Sequence, residues 1–470
     1  MIALTLDRIA EITQSRIHGS ARPADVVTGP VVIDSRQAVP GALFVALGGE
    51  RVDGHDFADA AVAAGAAAVL GSRPLAAPQL LVDGGDAEVV AALGRLARAV
   101  VGELPQADIV GVTGSSGKTT TKDLLAQVLR RLGPTVAPAG SFNNEIGHPL
   151  TVLRADEHTR YVVLEVAARG LGHIAHLCRI APPRIGVVLN VGSAHVGEFG
   201  SRAAIAQAKG ELVEALPGAD AGGVAVLNVD DDAVIGMAAR TAARVVGYGL
   251  GERADVRGRD VRLGEDGRAA FTLQIGARSA PVRLALVGEH QVHNALAVAA
   301  VAAELGMDLD DIAAALGEAG AVSRWRMEVA EGPGGVTVVN DAYNANPESM
   351  GAALRTLAAL ARARRSVAVL GIMAELGPAH QVEHERLGRL VAESGVDCLI
   401  AVGEEAAPIV DGVRSVAGWH GEVRQVADTA QAVAALRGLL RPEDVVLVKG
   451  SRVAGLEQVA EQLTAEEAAK

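Results

Sequence analysis

Short apolar runs alternate along the chain with stretches in which apolar residues recur every three or four positions. The runs, of three to five residues and rich in β-branched side chains, predict buried strands, and the longer stretches predict helices that cover them. Alternation of this kind is typical of α/β proteins with mostly parallel sheets. The strands predicted in this way are Val31–Ile33, Leu43–Leu47, Ala68–Leu70, Gln79–Val82, Ile109–Val112, Val162–Leu164, Ile185–Leu189, Val336–Val339, Val367–Leu370, Leu399–Val402 and Val445–Val448.

Two interruptions of the alternation divide the chain into three units. Pro105 marks a linker and a second boundary falls near Gly320, so we predict α/β domains at 1–104, 105–320 and 321–470. In the first unit, Thr5 can cap an opening helix. Residues near 253–287 alternate apolar and polar side chains, which predicts a small antiparallel addition to the mostly parallel central sheet.

The segment 108–121, DIVGVTGSSGKTTT, joins a predicted strand, a glycine loop and the start of a predicted helix. This order is typical of a phosphate-binding loop, in which backbone N–H groups and the helix N-terminus face phosphate oxygens. Lys118 can reach the outer phosphates, and the Thr119 hydroxyl can hold Mg²⁺. The strict pattern has glycine where this chain has Val112, so the loop is a compact variant; an ordinary turn before a helix is the alternative. The predicted ATP-contacting residues of this loop are Gly114, Ser115, Ser116, Gly117, Lys118, Thr119 and Thr120.

Charge and cysteine content narrow the class of protein. The 470 residues carry a net charge of −13, which argues against a general nucleic-acid binder. Cys178 and Cys398 are too few and too far apart for a metal motif or a disulfide framework. The sequence has neither the pattern of a signal peptide nor an unbroken apolar stretch of about 18 residues. We therefore expect a cytoplasmic protein with no nucleic-acid partner and no membrane insertion, and we expect a monomer.

Lysine is scarce, since only five of the 43 basic residues are lysines. Arginine serves almost everywhere a generic cation would do, so a remaining lysine is a candidate for a site that a guanidinium cannot fill. Lys209 lies in a predicted helix, AQAKGEL. As an ammonium it could bind phosphate or pair with Glu211 or Glu214, and as a carbamate it could bind Mg²⁺.

Polar side chains follow several predicted strands, where loops of α/β folds meet ligands. Glu165 ends the strand expected beside the phosphate-loop strand and could hold Mg²⁺. Asp341 follows a strand of the last unit and could bind ribose hydroxyls. Arg324 could reach the γ-phosphate, like an arginine finger supplied in cis. His195 lies in a polar loop, where a lone histidine more often forms hydrogen bonds than binds Mg²⁺.

Nine short motifs, taken together, are far more specific than the phosphate loop alone. They are GSSGKTT at 114, FNNEIGHP at 142, LEVAARG at 164, NVGSAHVGEFG at 190, AKGEL at 208, SRWRM at 323, NDAYNANP at 340, LGIMAELG at 370 and VKGSR at 448. In this combination the chain resembles the Mur ligase family from about residue 3 to 465. His148 stands where valine is common in that family.

The resemblance implies an ATP-dependent amide ligase that uses Mg²⁺. It implies a UDP-binding first domain, a central P-loop ATPase domain and a Rossmann-like C-terminal domain. NNEIG, NDAYNANP and KGSR are similar to the branch that joins D-alanyl-D-alanine to UDP-N-acetylmuramoyl-tripeptide through an acyl phosphate, in peptidoglycan precursor synthesis. An amino-acid-adding Mur-type ligase, a folylpolyglutamate-synthetase-like ligase and a non-catalytic nucleotide-binding scaffold are the alternatives.

The resemblance also implies a role for individual residues of this chain. Glu165, His195 and a carbamylated Lys209 would surround the metal ions with Thr119, and Lys118 and Arg324 would complete the catalytic set. Asn294 and Asp341 would lie near the adenine and the ribose. The residues expected to contact the UDP-substrate or the peptides are Asp34, Ser35, Arg36, Asp53, His55, Asn143, Asn144, Tyr343, Asn344 and Asn346.

Overall fold

A computed structural model describes residues 1–49, 52–192 and 196–465. The described chain forms three large sheets with helices packed against them, which confirms the predicted α/β class. The strands of each sheet fall within one of the three predicted units, whereas the exact domain boundaries stay a prediction.

The first unit holds a five-stranded sheet and a separate two-stranded ribbon. The strand order of the sheet is β2-β7-β6-β5-β4, with only β2 antiparallel to its neighbour, and β1 pairs with β3. Thr5 caps the first helix as expected, accepting a hydrogen bond from the N–H of Arg8 at 3.3 Å. The elements are β1 Leu4–Thr5, α1 Leu6–Thr13, β2 Arg16–His18, β3 Val26–Val27, β4 Val31–Val32, β5 Leu43–Val45, α2 Ala58–Ala63, β6 Ala68–Gly71, β7 Gln79–Leu81 and α3 Asp86–Gly102.

The central unit is built on a nine-stranded sheet of order β16-β15-β14-β13-β12-β11-β8-β10-β9. All neighbours from β9 to β14 are parallel, and β15 and β16 are added antiparallel, which confirms the expectation for this region. Its strands are β8 Asp108–Thr113, β9 Thr135–Val136, β10 Tyr161–Glu165, β11 Ile185–Val188, β12 Val224–Asn228, β13 Arg244–Gly249, β14 Val256–Leu263, β15 Arg268–Ile275 and β16 Arg278–Val287. Its helices are α4 Lys118–Leu129, α5 Gly147–Val152, α6 His173–Ile180, α7 Val196–Phe199, α8 Arg202–Glu214, α9 Asp232–Ile235, α10 Gln291–Glu304 and α11 Leu309–Glu318.

The last unit has a six-stranded sheet of order β17-β18-β22-β19-β20-β21, parallel except for the edge strand β17. Pro347 begins the helix after the asparagine cluster, where its fixed φ suits the first helical turn. The elements are β17 Glu328–Gly332, β18 Val336–Asn340, α12 Pro347–Ala361, β19 Ser366–Leu370, α13 His380–Glu393, β20 Cys398–Val402, α14 Ala407–Arg414, β21 Glu422–Val426, α15 Thr429–Leu439, β22 Val445–Lys449 and α16 Glu457–Ala465.

One hydrophobic core runs through the first unit and one face of the central sheet. It contains Leu6 and Val89 of the first unit together with Leu150 and Ile174 of the central unit. Helix α3 approaches α6 so closely that a Cβ added at Gly94 would lie 3.2 Å from the Cδ1 atom of Ile180. Within the described residues, no helix is both long enough and apolar enough to cross a membrane.

Candidate functional site

A cavity of about 940 Å³ lies at the carboxyl ends of the central strands, between the central and last units. Its volume is at the upper end of the range usual for ligand sites. The strands β8, β10 and β11 each end at its wall, which is where open α/β sheets bind ligands. The predicted site residues that line it are Ser115, Ser116, Gly117, Lys118, Thr119, Thr120, Asn143, Asn144, Glu165, Asn294, Asp341, Tyr343, Asn344 and Asn346.

The phosphate loop connects β8 to α4, as the sequence predicts. Gly117 has φ +81°, a conformation that favours glycine, and a Cβ there would lie 2.6 Å from Oδ1 of Asn294. Asn190, just after β11, holds the loop because its Oδ1 accepts from the N–H of Ser116 at 2.9 Å. Lys118 Nζ donates to the carbonyl oxygen of Gly114 at 2.7 Å, and burial lowers the pKa of this ammonium. The loop is thus held in shape with its lysine against its own backbone.

A buried hydroxyl and a buried carboxylate meet at the start of α4. Thr119 Oγ1 donates to Oε2 of Glu165 at 2.8 Å, and Asn143 Nδ2 donates to Oε1 of the same carboxylate at 2.8 Å. Glu165 is the last residue of β10, parallel to β8, and is 2% exposed. A hydroxyl and a carboxylate are the hard donors that Mg²⁺ prefers, so this pair fits a magnesium ion at the phosphate loop.

The arginine that reaches the phosphate loop is Arg326. Its Nη2 donates to Thr119 Oγ1 at 2.8 Å and to Ser141 Oγ at 3.2 Å, and its guanidinium carbon lies 4.0 Å from the ring centre of Tyr343. Arg324, the predicted finger, instead donates to Oε1 of Glu461 at 2.9 Å, and its side chain is 66% exposed. Arg324 is not among the residues that line the cavity. Its proposed phosphate contact stays a prediction, and the geometry favours Arg326 for that role.

Lys209 is buried in α8 and 6% exposed. Burial and, second, the charge of Lys118 lower its pKa well below the ordinary value. The carboxylates considered as partners are engaged elsewhere: Glu211 accepts from the N–H groups of Gly172 and Ala175 at 2.6 and 3.0 Å, and Glu214 pairs with Arg240. A lowered pKa favours the neutral amine, which is the form that can take up CO₂. The other expected metal neighbour, His195, lies outside the described residues.

Asp341, at the end of β18, is held by Lys449 from the end of β22. Lys449 Nζ lies 2.5 Å from Oδ2 of Asp341 and 2.9 Å from the carbonyl oxygen of Asn344. Oδ1 of Asp341 accepts from the N–H of Met327 at 3.0 Å. The lysine of the KGSR motif therefore fixes the orientation of the carboxylate expected near the ribose.

Two of the predicted substrate-binding asparagines also stabilise helix starts. Asn346 is the N-cap of α12 and forms a capping box with Ser349. Asn144 Oδ1 accepts from the N–H of Gly147 at 2.9 Å, at the start of α5. Both line the cavity, so capping fixes the position of side chains that face it.

The polar groups of the first unit do not line this cavity. Asp34 caps a short 3₁₀ turn and pairs with Arg36 at 2.7 Å, and Ser35 begins that turn. His55 Nδ1 lies 2.7 Å from Oδ1 of Asp53, and its Nε2 accepts from the N–H of Ser72 at 3.0 Å. Both ring nitrogens of His55 thus serve the local fold, and substrate contacts of these residues stay a prediction.

Sequence reasoning did not assign Arg326 and Asn190. SRWRM offers two arginines two positions apart, and nothing in the pattern selects one of them. Asn190 could have been predicted as a site residue, since it follows a predicted strand and asparagine is scarce in this chain. Gln291 is a third addition, because its Oε1 accepts from Nδ2 of Asn294 at 2.8 Å on the cavity wall.

Three family descriptions match successive parts of the chain. They are the Mur ligase family catalytic domain at 30–116, the Mur ligase middle domain at 112–302, and the Mur ligase glutamate ligase domain at 325–452.

Full-length relatives and solved structures agree with these matches. A UDP-N-acetylmuramoyl-tripeptide–D-alanyl-D-alanine ligase of Mycobacterium tuberculosis is 50% identical, with 99% of each chain covered. A crystal structure of MurF from Acinetobacter baumannii is 32% identical, with 98% of each chain covered and a TM-score of 0.85. MurF ligase from Thermotoga maritima in complex with ADP is 31% identical, with a TM-score of 0.78 over 94% of this chain and 98% of the other.

Proposed function

The chain belongs to the Mur ligase family, and we propose that it joins D-alanyl-D-alanine to UDP-N-acetylmuramoyl-tripeptide at the expense of ATP. The choice within the family rests on a relative of that name that is 50% identical over 99% of this chain. Phosphoryl-transfer chemistry rests on one observation in particular, the contact of Thr119 with both Glu165 and Arg326 inside a single cavity.

The tripeptide carboxylate accepts the γ-phosphoryl group of ATP, and the amine of D-alanyl-D-alanine then displaces phosphate from the acyl phosphate. The loop backbone and Lys118 hold the nucleotide phosphates, and Arg326 balances negative charge on the transferring group. The main contribution of the protein is therefore positioning and charge stabilisation. Because the cavity lies between two units, their closure around it would keep water from hydrolysing the acyl phosphate.

Magnesium fits this site through Thr119 and Glu165. Lys209 is not among the residues that line the cavity, and a carbamate on it would be a further oxygen ligand. When bound at this site, magnesium would offset negative charge on the phosphoryl group being transferred. The first unit would bind the UDP-muramoyl end through Asp34, Ser35 and Arg36, with Asp53 and His55 nearby. A cytoplasmic location and a monomeric state remain predictions.

The deciding experiment is a phosphate-release assay on purified protein. Release from ATP should require both UDP-N-acetylmuramoyl-tripeptide and D-alanyl-D-alanine, and mass spectrometry should detect the pentapeptide product. If the protein instead joined a single amino acid to a shorter UDP-muramoyl peptide and ignored the dipeptide, it would be an amino-acid-adding Mur-type ligase. Activity on folylpolyglutamate substrates alone would favour the other alternative.

A further inference from the structure

The segment between α11 and β17, residues 319–327, lies along one face of the phosphate-loop helix. Thr119, Asp123 and Gln127 are four residues apart on α4 and therefore share a face. Each contacts the segment: Thr119 contacts Arg326, and Asp123 Oδ2 accepts from the N–H of Ser323 at 3.1 Å. Just beyond the helix, Arg131 forms an ion pair with Glu318. The segment thus runs antiparallel to α4 in a fixed register.

Gln127 sets that register through the backbone. Its Oε1 accepts from the N–H of Gly320 at 3.1 Å, and its Nε2 donates to the carbonyl oxygen of the same residue at 2.9 Å. Both bonds go to a single residue of the linker, so a shift by one position would have to break both. A Cβ built on Gly320 would meet no heavy atom within 4 Å. An alanine would therefore fit at this position, and the two bonds with Gln127 do not require a glycine.

Asp123 is itself held in place. Its Oδ1 pairs with Lys122, which is 1% exposed and also donates to the carbonyl oxygen of Pro138 at 2.9 Å. One of the few lysines of the chain therefore orients the carboxylate that bonds the linker at Ser323. Asp123 is only 7% exposed, so these bonds are partly protected from water.

The register matters because Arg326 lies at the end of the docked segment. Four helical residues rise about 6 Å, and three linker residues cover that distance, so each linker residue accounts for about 2 Å. A slip by one residue would therefore displace the backbone of Arg326 by about 2 Å relative to Thr119.

We propose that Asp123 and Gln127 are positioning residues, which dock the linker on α4 and thereby deliver Arg326 to the phosphate loop. This inference rests on the proposed ligase function for its kinetic consequence. Docking itself is a property of the protein without substrates.

The kinetic test compares wild type, Gln127→Met, Arg326→Ala and the double variant, with Gly320→Ala and Gln106→Met as matched controls. Gln127→Met keeps the side-chain length but removes both bonds to Gly320. We expect kcat to fall about tenfold, while KM for the UDP-substrate stays within about twofold of the wild-type value. In the Arg326→Ala background the same change should have less than about a twofold effect, because the group it positions is gone. Gly320→Ala keeps both backbone bonds, and Gln106 lies away from the linker with its Nε2 donating to Glu157, so both controls should retain kcat.

Hydrogen exchange tests docking without turnover. The amides of Gly320 and Ser323 should be protected in wild type and exchange faster in Gln127→Met, and Gln127→Ala replaces that variant if it does not fold. Wild-type kcat in Gln127→Met, multiplicative effects in the double variant, or unprotected amides in wild type would overturn the inference. An absence of ligation by wild type with protected amides would overturn the proposed function and leave the docking established.

Discussion

Arg326 and Thr119 lie 207 positions apart in the chain, yet the guanidinium donates a 2.8 Å hydrogen bond to the threonine hydroxyl. The bond joins the start of the last unit to the phosphate loop of the central unit. It brings a permanent positive charge to the position where a phosphoryl group would be transferred, beside the carboxylate of Glu165.

Replacing Arg326 should therefore be far more damaging than replacing its neighbour Arg324. We expect Arg326→Ala to lower kcat about 10²–10³-fold, the usual loss for a preorganised charge contact, and Arg326→Lys to recover only part of it. Arg324→Ala, the matched control, should lower kcat less than about tenfold, because that side chain is exposed and pairs with Glu461. Steady-state ligation assays measure all three. The opposite ranking would restore Arg324 as the phosphate-contacting arginine.

Lys118→Ala should abolish turnover in a folded protein, with a loss of about 10²–10³-fold or more. Lys118→Arg should also be inactive, because a loop shaped around one ammonium group has no room for the larger planar guanidinium. The ligation assay, with circular dichroism to verify folding, measures both variants. Near-normal activity of folded Lys118→Ala would contradict the role given to the phosphate loop.

Lys209 should carry a carbamate in the active enzyme. Its lowered pKa favours the neutral amine that reacts with CO₂, and Glu211 and Glu214 have other partners. Lys209→Ala should bind ATP but turn over poorly, and added short carboxylates or bicarbonate-rich buffer should restore part of the activity. Isothermal titration measures binding, and the ligation assay measures rescue.

An unmodified amine beside bound nucleotide and Mg²⁺ in a high-resolution crystal structure, with no rescue by carboxylates, would decide against the carbamate. Lys122→Ala is not a suitable control because Lys122 orients Asp123. Arg130 is exposed, so Arg130→Ala is the control instead. Added carboxylates should not raise the turnover of that variant if their effect is specific to the missing Lys209.

Acid should destabilise the protein through His148. Burial lowers the pKa of this histidine to about 4, whereas an unfolded chain takes up the proton near pH 6.5. Between these values the unfolded state binds more protons, so the free energy of unfolding falls as the pH drops. At pH 5 the loss from this residue is about 2 kcal/mol relative to pH 8.

His148→Leu should reduce the difference in unfolding free energy between pH 8 and pH 5 by that amount. Urea titrations at the two pH values measure it, and the exposed His420→Leu controls for loss of an imidazole. An equal pH dependence in wild type and His148→Leu would refute the assignment.

The sequence predicted many of the buried strands because these are short apolar runs bounded by polar residues, whereas β12 and β13 of the central sheet were not predicted. Glu165 was predicted at a strand end next to the phosphate-loop strand, and it is there because parallel strands bring their carboxyl ends to one edge. Arg326 could not be selected in the same way. Trp325 and Met327 have φ of +61° and +52°, and this unusual backbone decides which arginine faces the cavity.

Arg452 illustrates the same limit. Its guanidinium carbon lies 4.2 Å from the ring centre of Trp325, so a residue of the distant KGSR motif helps to fix the local turn. A tertiary contact of this kind leaves no mark in the local pattern of SRWRM. The part of the site carried by regular strands was therefore predictable, and the part carried by this turn was not.

The core shared by the first and central units has a mechanical consequence. Because Leu6 and Val89 belong to the same packed cluster as Leu150 and Ile174, separating these units would expose a large apolar surface to water. The first and central units are therefore expected to stay together when the last unit moves. Any opening of the cavity would therefore come from movement of the last unit, and that movement would have to break the bond between Arg326 and Thr119 and the packing of Val287 from β16 in the core of the last unit.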